Sequence, residues 1–156
     1  MEKTLAIMAE DIPARTKKSA YPEPFASMMN GREKHQLGDF FGITNFGVNL
    51  TKLAPGSRSA LLHRHSLQQE FIYILQGEPT LVTEEKEILL QPGMCAGFIP
   101  GGAAHQLVNH SDTDVVYLEV GDRTTGDEAS YPADDIKAEF TSDGRWRFTH
   151  KNGQPY

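Results

Sequence analysis

His63 and His65 flank Arg64 in the run HRHSLQQEF, and Glu70 follows just before an apolar stretch. On an extended strand, residues two apart project to the same side, so both imidazoles point together while Arg64 points away. The two rings then sit roughly 7 Å apart along the strand, close enough to converge on one ion. Imidazole and carboxylate are both donors to divalent transition metals. Farther along, His105 follows the turn Pro100-Gly101-Gly102 and opens the apolar run QLVN. The competing reading is a half-exposed strand edge that contains two histidines, with Glu70 as a solvated turn acid.

Strands must position these groups. From Thr44 onward, short apolar runs recur between Gly, Pro, Asp and Glu: FGVNLTKL, SALLHRH, EFIYILQG, PTLVTEE, KEILLQPG, CAGFIPGG, HQLVNHS and DVVYLEVG. Strand-length segments this dense predict an all-β sandwich or barrel rather than alternating βαβ units. Pairing a strand carrying Leu61, His63 and His65 with one carrying Glu70, Ile72 and Ile74 keeps the polar groups together at one end. The other face of that second strand carries Phe71, Tyr73 and Leu75, where a sheet solvated on one side would show polar residues. The termini are expected to cover this face and to help form a homodimer.

Before this block, Pro13, Pro22 and Pro24 break helix propagation, which predicts an extended arm over residues 1–43. A short helical turn is expected near Gly31–Leu37, ended by Gly38-Asp39. The barrel is expected over 44–122 and a C-terminal extension over 123–156, together one structural domain. In the extension, Ile136–Thr141 and Arg145–Thr149 flank Ser142-Asp143-Gly144, a hairpin or strap signal.

A chain of 156 residues fits one domain, and its net charge of −6, with no basic run to offset it, argues against non-specific nucleic-acid binding, which needs clustered Lys and Arg. The single cysteine, Cys95, leaves no intrachain disulfide and fits a reducing compartment. It reads as a small packed residue. The N-terminal apolar patch is interrupted by Glu10 and Asp11 and is too short for a signal-peptide core or a membrane span. A cytoplasmic protein with no membrane or nucleic-acid partner is expected.

Ten positions resemble the two motifs of the cupin superfamily: Gly56, His63, His65, Glu70 and Gly77, then Gly93, Pro100, Gly102, His105 and Asn109. The gaps Gly56–His63 and Gly93–Pro100 are each one residue longer than the commonest pattern. YPEPF, FGVNLTKLAPG, PGMCAGF, YLEVGDR, YPADD and THKNGQPY extend the similarity to a group of bacterial single-domain cupins. That group is loosely described as sugar-phosphate isomerases or sugar-binding cupins. The resemblance implies a double-stranded β-helix, a jelly-roll barrel. It also implies four ligands, His63, His65, Glu70 and His105, around one divalent transition metal ion: Fe, Mn, Ni, Co or Zn.

Such a centre, with positions open to a small-molecule substrate or ligand, could serve isomerisation of a sugar phosphate or of a small keto or enol carboxylate. The alternatives are an Fe-dependent dioxygenase, a decarboxylase-type cupin, or a non-catalytic sugar-binding or sensing cupin. Isomerisation needs a base, and Glu70, Tyr73, Tyr117 or a further histidine are the candidates. Gln68, Gln69 and Gln106 sit beside the ligands in sequence and could orient them. A phosphate would need cations, of which Arg58, Arg64 and Arg123 are the nearest; the expected lining of Leu61, Ile72, Ile74 and Leu107 is apolar. His35, His110 and His150 read as surface or supporting residues, and Trp146 with Phe148 as a staple on the barrel.

Overall fold

In the computed structural model, which describes residues 4–17 and 19–156, each of the eight expected segments contains a strand, although SALLHRH contributes only Arg64–His65. In chain order the elements are β1 (Arg32–Gln36), α1 (Leu37–Phe41), β2 (Phe46–Leu53), β3 (Arg64–His65), β4 (Glu70–Gln76), β5 (Thr80–Thr83) and β6 (Glu87–Leu89). They continue with β7 (Cys95–Phe98), β8 (His105–Val108), β9 (Val115–Asp122), β10 (Glu128–Ser130), β11 (Lys137–Phe140) and β12 (Trp146–Thr149). A five-stranded sheet runs β1-β2-β9-β4-β7, a three-stranded sheet β6-β5-β8 and a four-stranded sheet β12-β11-β10-β3. Every pairing is antiparallel. This is the jelly-roll barrel of a double-stranded β-helix.

Two apolar clusters hold it together. Leu53, Ile72, Ile74, Leu81, Leu107, Val115 and Tyr117 fill the space between the five- and three-stranded sheets. Their strands alternate, so every second residue joins this core. The second cluster joins the arm to the four-stranded sheet through Phe25, Met29, Leu61, Tyr131, Ile136 and Ala138. Leu61 lies two residues before His63 and belongs to one cluster; Ile72 lies two after Glu70 and belongs to the other. The histidine-glutamate group therefore sits where the two cores meet.

Motif residues outside the site have structural work. Gly77 has φ +79°, and a Cβ there would lie 2.7 Å from Asp114 O, so only glycine fits. Asn109 is fully buried, donates to Leu53 O and Thr113 O, and accepts from Ser111 N and Oγ. It locks the turn that follows β8.

Several expectations are corrected. Residues 32–36 form strand β1, paired along its length with β2, and the helical turn falls later, at Leu37–Phe41. Gly38, expected to stop the turn, lies inside it, where a Cβ would stand 3.1 Å from Val48 N; Gly42 in the left-handed region ends the helix instead. The segment at 32–36 reads REKHQ and has no apolar alternation of its own; β2 supplies the hydrogen-bonding partner that makes it an edge strand.

 The termini do not cover the outer face of β4 among the described residues: Phe71, Tyr73 and Leu75 remain 43%, 39% and 44% exposed. Cys95 pairs with Tyr73 on that same face and is exposed rather than packed. The expected hairpin forms as β11 and β12, with Thr141 N donating to Arg145 O across the turn. Its Trp146 and Phe148 pack against the second apolar cluster, as a staple would, and also line the interior cavity.

Candidate metal centre

Backbone register assembles the site. His63 and His105 form a two-residue antiparallel bridge, with His63 N donating to His105 O at 3.2 Å and His105 N to His63 O at 2.8 Å. Their side chains therefore leave neighbouring backbones on the same side. Gly101 N donates to His65 O at 2.8 Å, docking the Pro100-Gly101-Gly102 turn beside β3. Glu70 enters from β4, opposite Phe98 on one side and Gly121 on the other.

The three imidazoles turn their Nε2 atoms toward one oxygen. Glu70 Oε2 lies 3.5 Å from His63 Nε2, 3.4 Å from His65 Nε2 and 2.9 Å from His105 Nε2. His63, Glu70 and His105 each offer a donor atom, all within 4.8 Å of one another. Ligands held at about 2.0–2.2 Å from a shared ion at near-octahedral or tetrahedral angles lie roughly 2.8–3.6 Å apart. The distances to Glu70 match that spacing.

The opposite ring nitrogens are already engaged. His63 Nδ1 lies 2.8 Å from Leu61 O and His65 Nδ1 lies 2.6 Å from Asp127 Oδ2; His105 Nδ1 has a longer contact, 3.4 Å, to Ala103 O. A carbonyl oxygen or an ionised carboxylate can only accept, so these nitrogens carry protons. An Nε2 lone pair cannot face a carboxylate unopposed, so the arrangement calls either for a cation between them or for protons on Nε2 donated to Glu70. Aromatic contacts hold the rings: Phe98 stacks on His105 at 3.5 Å between centroids, Tyr131 lies over His63 at 5.9 Å and Trp146 beside His65 at 5.7 Å.

Titration in the metal-free protein reflects this crowding. Burial opposes a charge on His65, but Glu70 and Asp127 outweigh it and push the pKa up to about 9. Burial likewise opposes ionisation of Glu70, yet the hydrogen bonds from His105, His63 and His65 hold its carboxyl well below the usual range. Burial pushes His105 down.

The four residues implied by the motifs are thus together. Gln69 is exposed and Gln106 follows His105 in strand phase on the opposite face; among the described residues neither side chain bonds to the four. Gln68 is buried and donates through Nε2 to Thr124 O. The supporting role belongs to Asp127, which is fully buried. Its Oδ2 holds His65, while Oδ1 accepts from Leu67 N, Gln68 N and Ser66 Oγ.

A cavity of about 250 Å³ opens against the four residues. Its cations are not the expected ones. Arg64 forks onto Glu84 at 2.6 and 2.7 Å and Arg123 pairs with Asp39, whereas Arg15, Arg32 and Lys34 line the cavity. Tyr73 stands on the outer face, while Tyr117, Tyr21 and Tyr131 line the interior.

The Cupin domain profile matches residues 49–121. A sugar phosphate isomerase of the cupin superfamily from Silicibacter pomeroyi is 36% identical, with a TM-score of 0.89 over 97% of this chain and 96% of its own. A structure from Acidithiobacillus ferrooxidans, named only provisionally as a sugar phosphate isomerase, is 29% identical with a TM-score of 0.72 over 80% of each chain. An oxalate-binding protein of Thermotoga maritima is 37% identical over 70 residues, a match taking in 44% of this chain and 55% of that relative. The chain thus spans about half the length of that curated relative. By fold, motif register and likeness to the Silicibacter protein over nearly its whole length, the chain belongs to the cupin superfamily.

Proposed function

We propose that the protein is a metal-dependent single-domain cupin enzyme, with His63, His65, Glu70 and His105 holding one divalent transition metal ion. The observation that carries this reading is the convergence of three Nε2 atoms on Glu70 Oε2. The reaction proposed is isomerisation of a small oxygen-rich substrate, a sugar phosphate or a keto or enol carboxylate. The resemblance to the Silicibacter protein supports that choice. Bound at these residues, a divalent ion supplies Lewis acidity toward a carbonyl oxygen.

The chain's own residues do the rest. Leu61 O and Asp127 keep protons on the Nδ1 atoms of His63 and His65, leaving Nε2 free to bind. Burial raises the pKa of Tyr21 and Tyr131, so both hydroxyls stay protonated at neutral pH and can donate to substrate oxygens. Burial also keeps Tyr117 protonated. The carboxylates on the cavity wall, Glu70 and Glu119, are then the groups able to accept a proton moved between adjacent carbons. Trp146, Phe148 and Tyr21 cover the cavity with apolar surface and limit water.

Anaerobic turnover tests this reading. Metal-loaded protein should interconvert an aldose phosphate and its ketose without consuming oxygen, and chelation should abolish the reaction. Turnover that requires oxygen would instead identify an oxygenase. A second reading, ligand capture without turnover, draws on the likeness to the oxalate-binding protein; it predicts ligand-induced stabilisation and no product. We also propose that the exposed face of Phe71, Tyr73 and Leu75 pairs with a second copy of the chain, and that the protein works in the cytoplasm.

A further inference from the structure

Among the described residues, Lys34 is the one lysine on the cavity wall. Strand alternation puts Arg32, Lys34 and Gln36 on one side of β1 and Glu33 and His35 on the other. Pairing with β2 sets Lys34 opposite Thr51, and pairing of β2 with β9 sets Asn49 opposite Glu119. Lys34 and Glu119 therefore meet diagonally over β2, where Lys34 Nζ pairs with Glu119 Oε1. Asn49 Nδ2 donates to the same oxygen at 3.1 Å, and the Tyr117 hydroxyl lies 3.4 Å from Oε2. The Lys34 and Glu119 side chains are 17% and 21% exposed, and neither residue belongs to an apolar cluster. Both line the cavity, so the pair borders open space rather than packed core.

A buried ion pair is by itself weak ground for stability. This one holds an amine against a proton acceptor at the edge of a cavity. A lysine becomes nucleophilic where burial and neighbouring cations disfavour its ammonium form. Lys34 meets both conditions: burial above all, helped by the charges of Arg32 and Arg15, pushes its pKa down against the pull of Glu119. Lys52 is the contrast, an exposed lysine that Asp114 pushes up.

We propose that Lys34 is a covalent amine site that condenses with the carbonyl group of a small aldehyde or ketone held in the cavity, with Glu119 as its proton carrier. This goes beyond the metal-dependent reading and needs no metal. The Lys34 ammonium gives a proton to Glu119, and the amine attacks the carbonyl carbon; a C–N bond forms while the C=O π pair moves to oxygen. A second proton passes from nitrogen to that oxygen. Glu119 then returns its proton to the new hydroxyl, the C–O bond breaks, and water leaves as the nitrogen lone pair forms the C=N bond. A cationic iminium replaces the ammonium, so Glu119 keeps a counter-charge throughout. The cavity of about 250 Å³ suits a carbonyl compound of a few carbons.

Reductive trapping tests the site on the full chain after chelation, so that no metal takes part. Glyceraldehyde and sodium cyanoborohydride are added in a short pulse at neutral pH, and peptide mass mapping locates the adduct. Lys34 should be alkylated at least ten times faster than the exposed Lys52, Lys86, Lys137 and Lys151. Lys34→Arg, which keeps a cation beside Glu119, should lose the fast adduct. Wild-type protein in which Lys34 reacts no faster than those four lysines would overturn the proposal, whatever the variant does. A fast adduct that persists in Lys34→Arg would overturn it too. Fast trapping at Lys34 in a protein that takes up no metal would leave the amine site standing and remove the metal reading; one bound metal without trapping at Lys34 would do the reverse.

Discussion

Asp127 Oδ2 lies 2.6 Å from His65 Nδ1, and the same carboxylate accepts two backbone N–H groups and the Ser66 hydroxyl through Oδ1. One buried side chain thereby fixes both the loop leading into β4 and the ring that faces Glu70. Through β10, which pairs with β3, the C-terminal segment becomes part of the site's support.

Asp127→Asn keeps the size but provides a single acceptor oxygen, so either His65 or the Leu67 and Gln68 amides lose their partner. Metal affinity should fall by about 10–100-fold. A chelator competition titration reads the change, and a melting curve of the metal-free variant should show a loss of about 1–3 kcal/mol.

Metal binding should depend on pH beyond the ordinary histidine range. The metal-free protein keeps His65 protonated up to about pH 9, and an ion must displace that proton. Affinity should therefore rise by up to about tenfold per pH unit between pH 7 and 9. Stability of the metal-free protein runs the other way. The raised folded value means that the His65 contribution is full below the ordinary value of 6.5 and is lost as pH climbs through about 9. Glu70→Gln should lower the His65 pKa, flatten both dependences and weaken the metal more than Asp127→Asn does. Imidazole NMR titrations and calorimetry at several pH values check these shifts.

The outer face of β4 bears on assembly. Phe71, Tyr73 and Leu75 are joined by Phe46 of β2, itself 41% exposed, on the same sheet. Such a face is expected at an interface between copies. Tyr73→Glu should convert a dimer to a monomer by light scattering while leaving metal content unchanged, since Tyr73 lies on the outer face and does not line the cavity.

The barrel and the four convergent residues were legible because each rests on a local pattern. Strand alternation aims His63 and His65 together, and glycine and proline punctuation marks the turn before His105. Asp127 escaped notice because it lies in a polar loop, where a single acid has no distinguishing spacing. Arg32 and Lys34 were hidden for another reason. The segment REKHQ is polar in both phases, so no hydrophobic alternation reveals a strand. Its inward face exists only because β2 pairs with it, a long-range contact that also carries Arg15 into the cavity.

Metal analysis of protein purified without added ions tests the central claim most directly. The account predicts close to one equivalent of a divalent transition metal per chain, lost when His63 and His105 are both replaced by Ala in a variant that remains folded. Metal-free protein that gains no thermal stability from Fe, Mn, Ni, Co or Zn would contradict it.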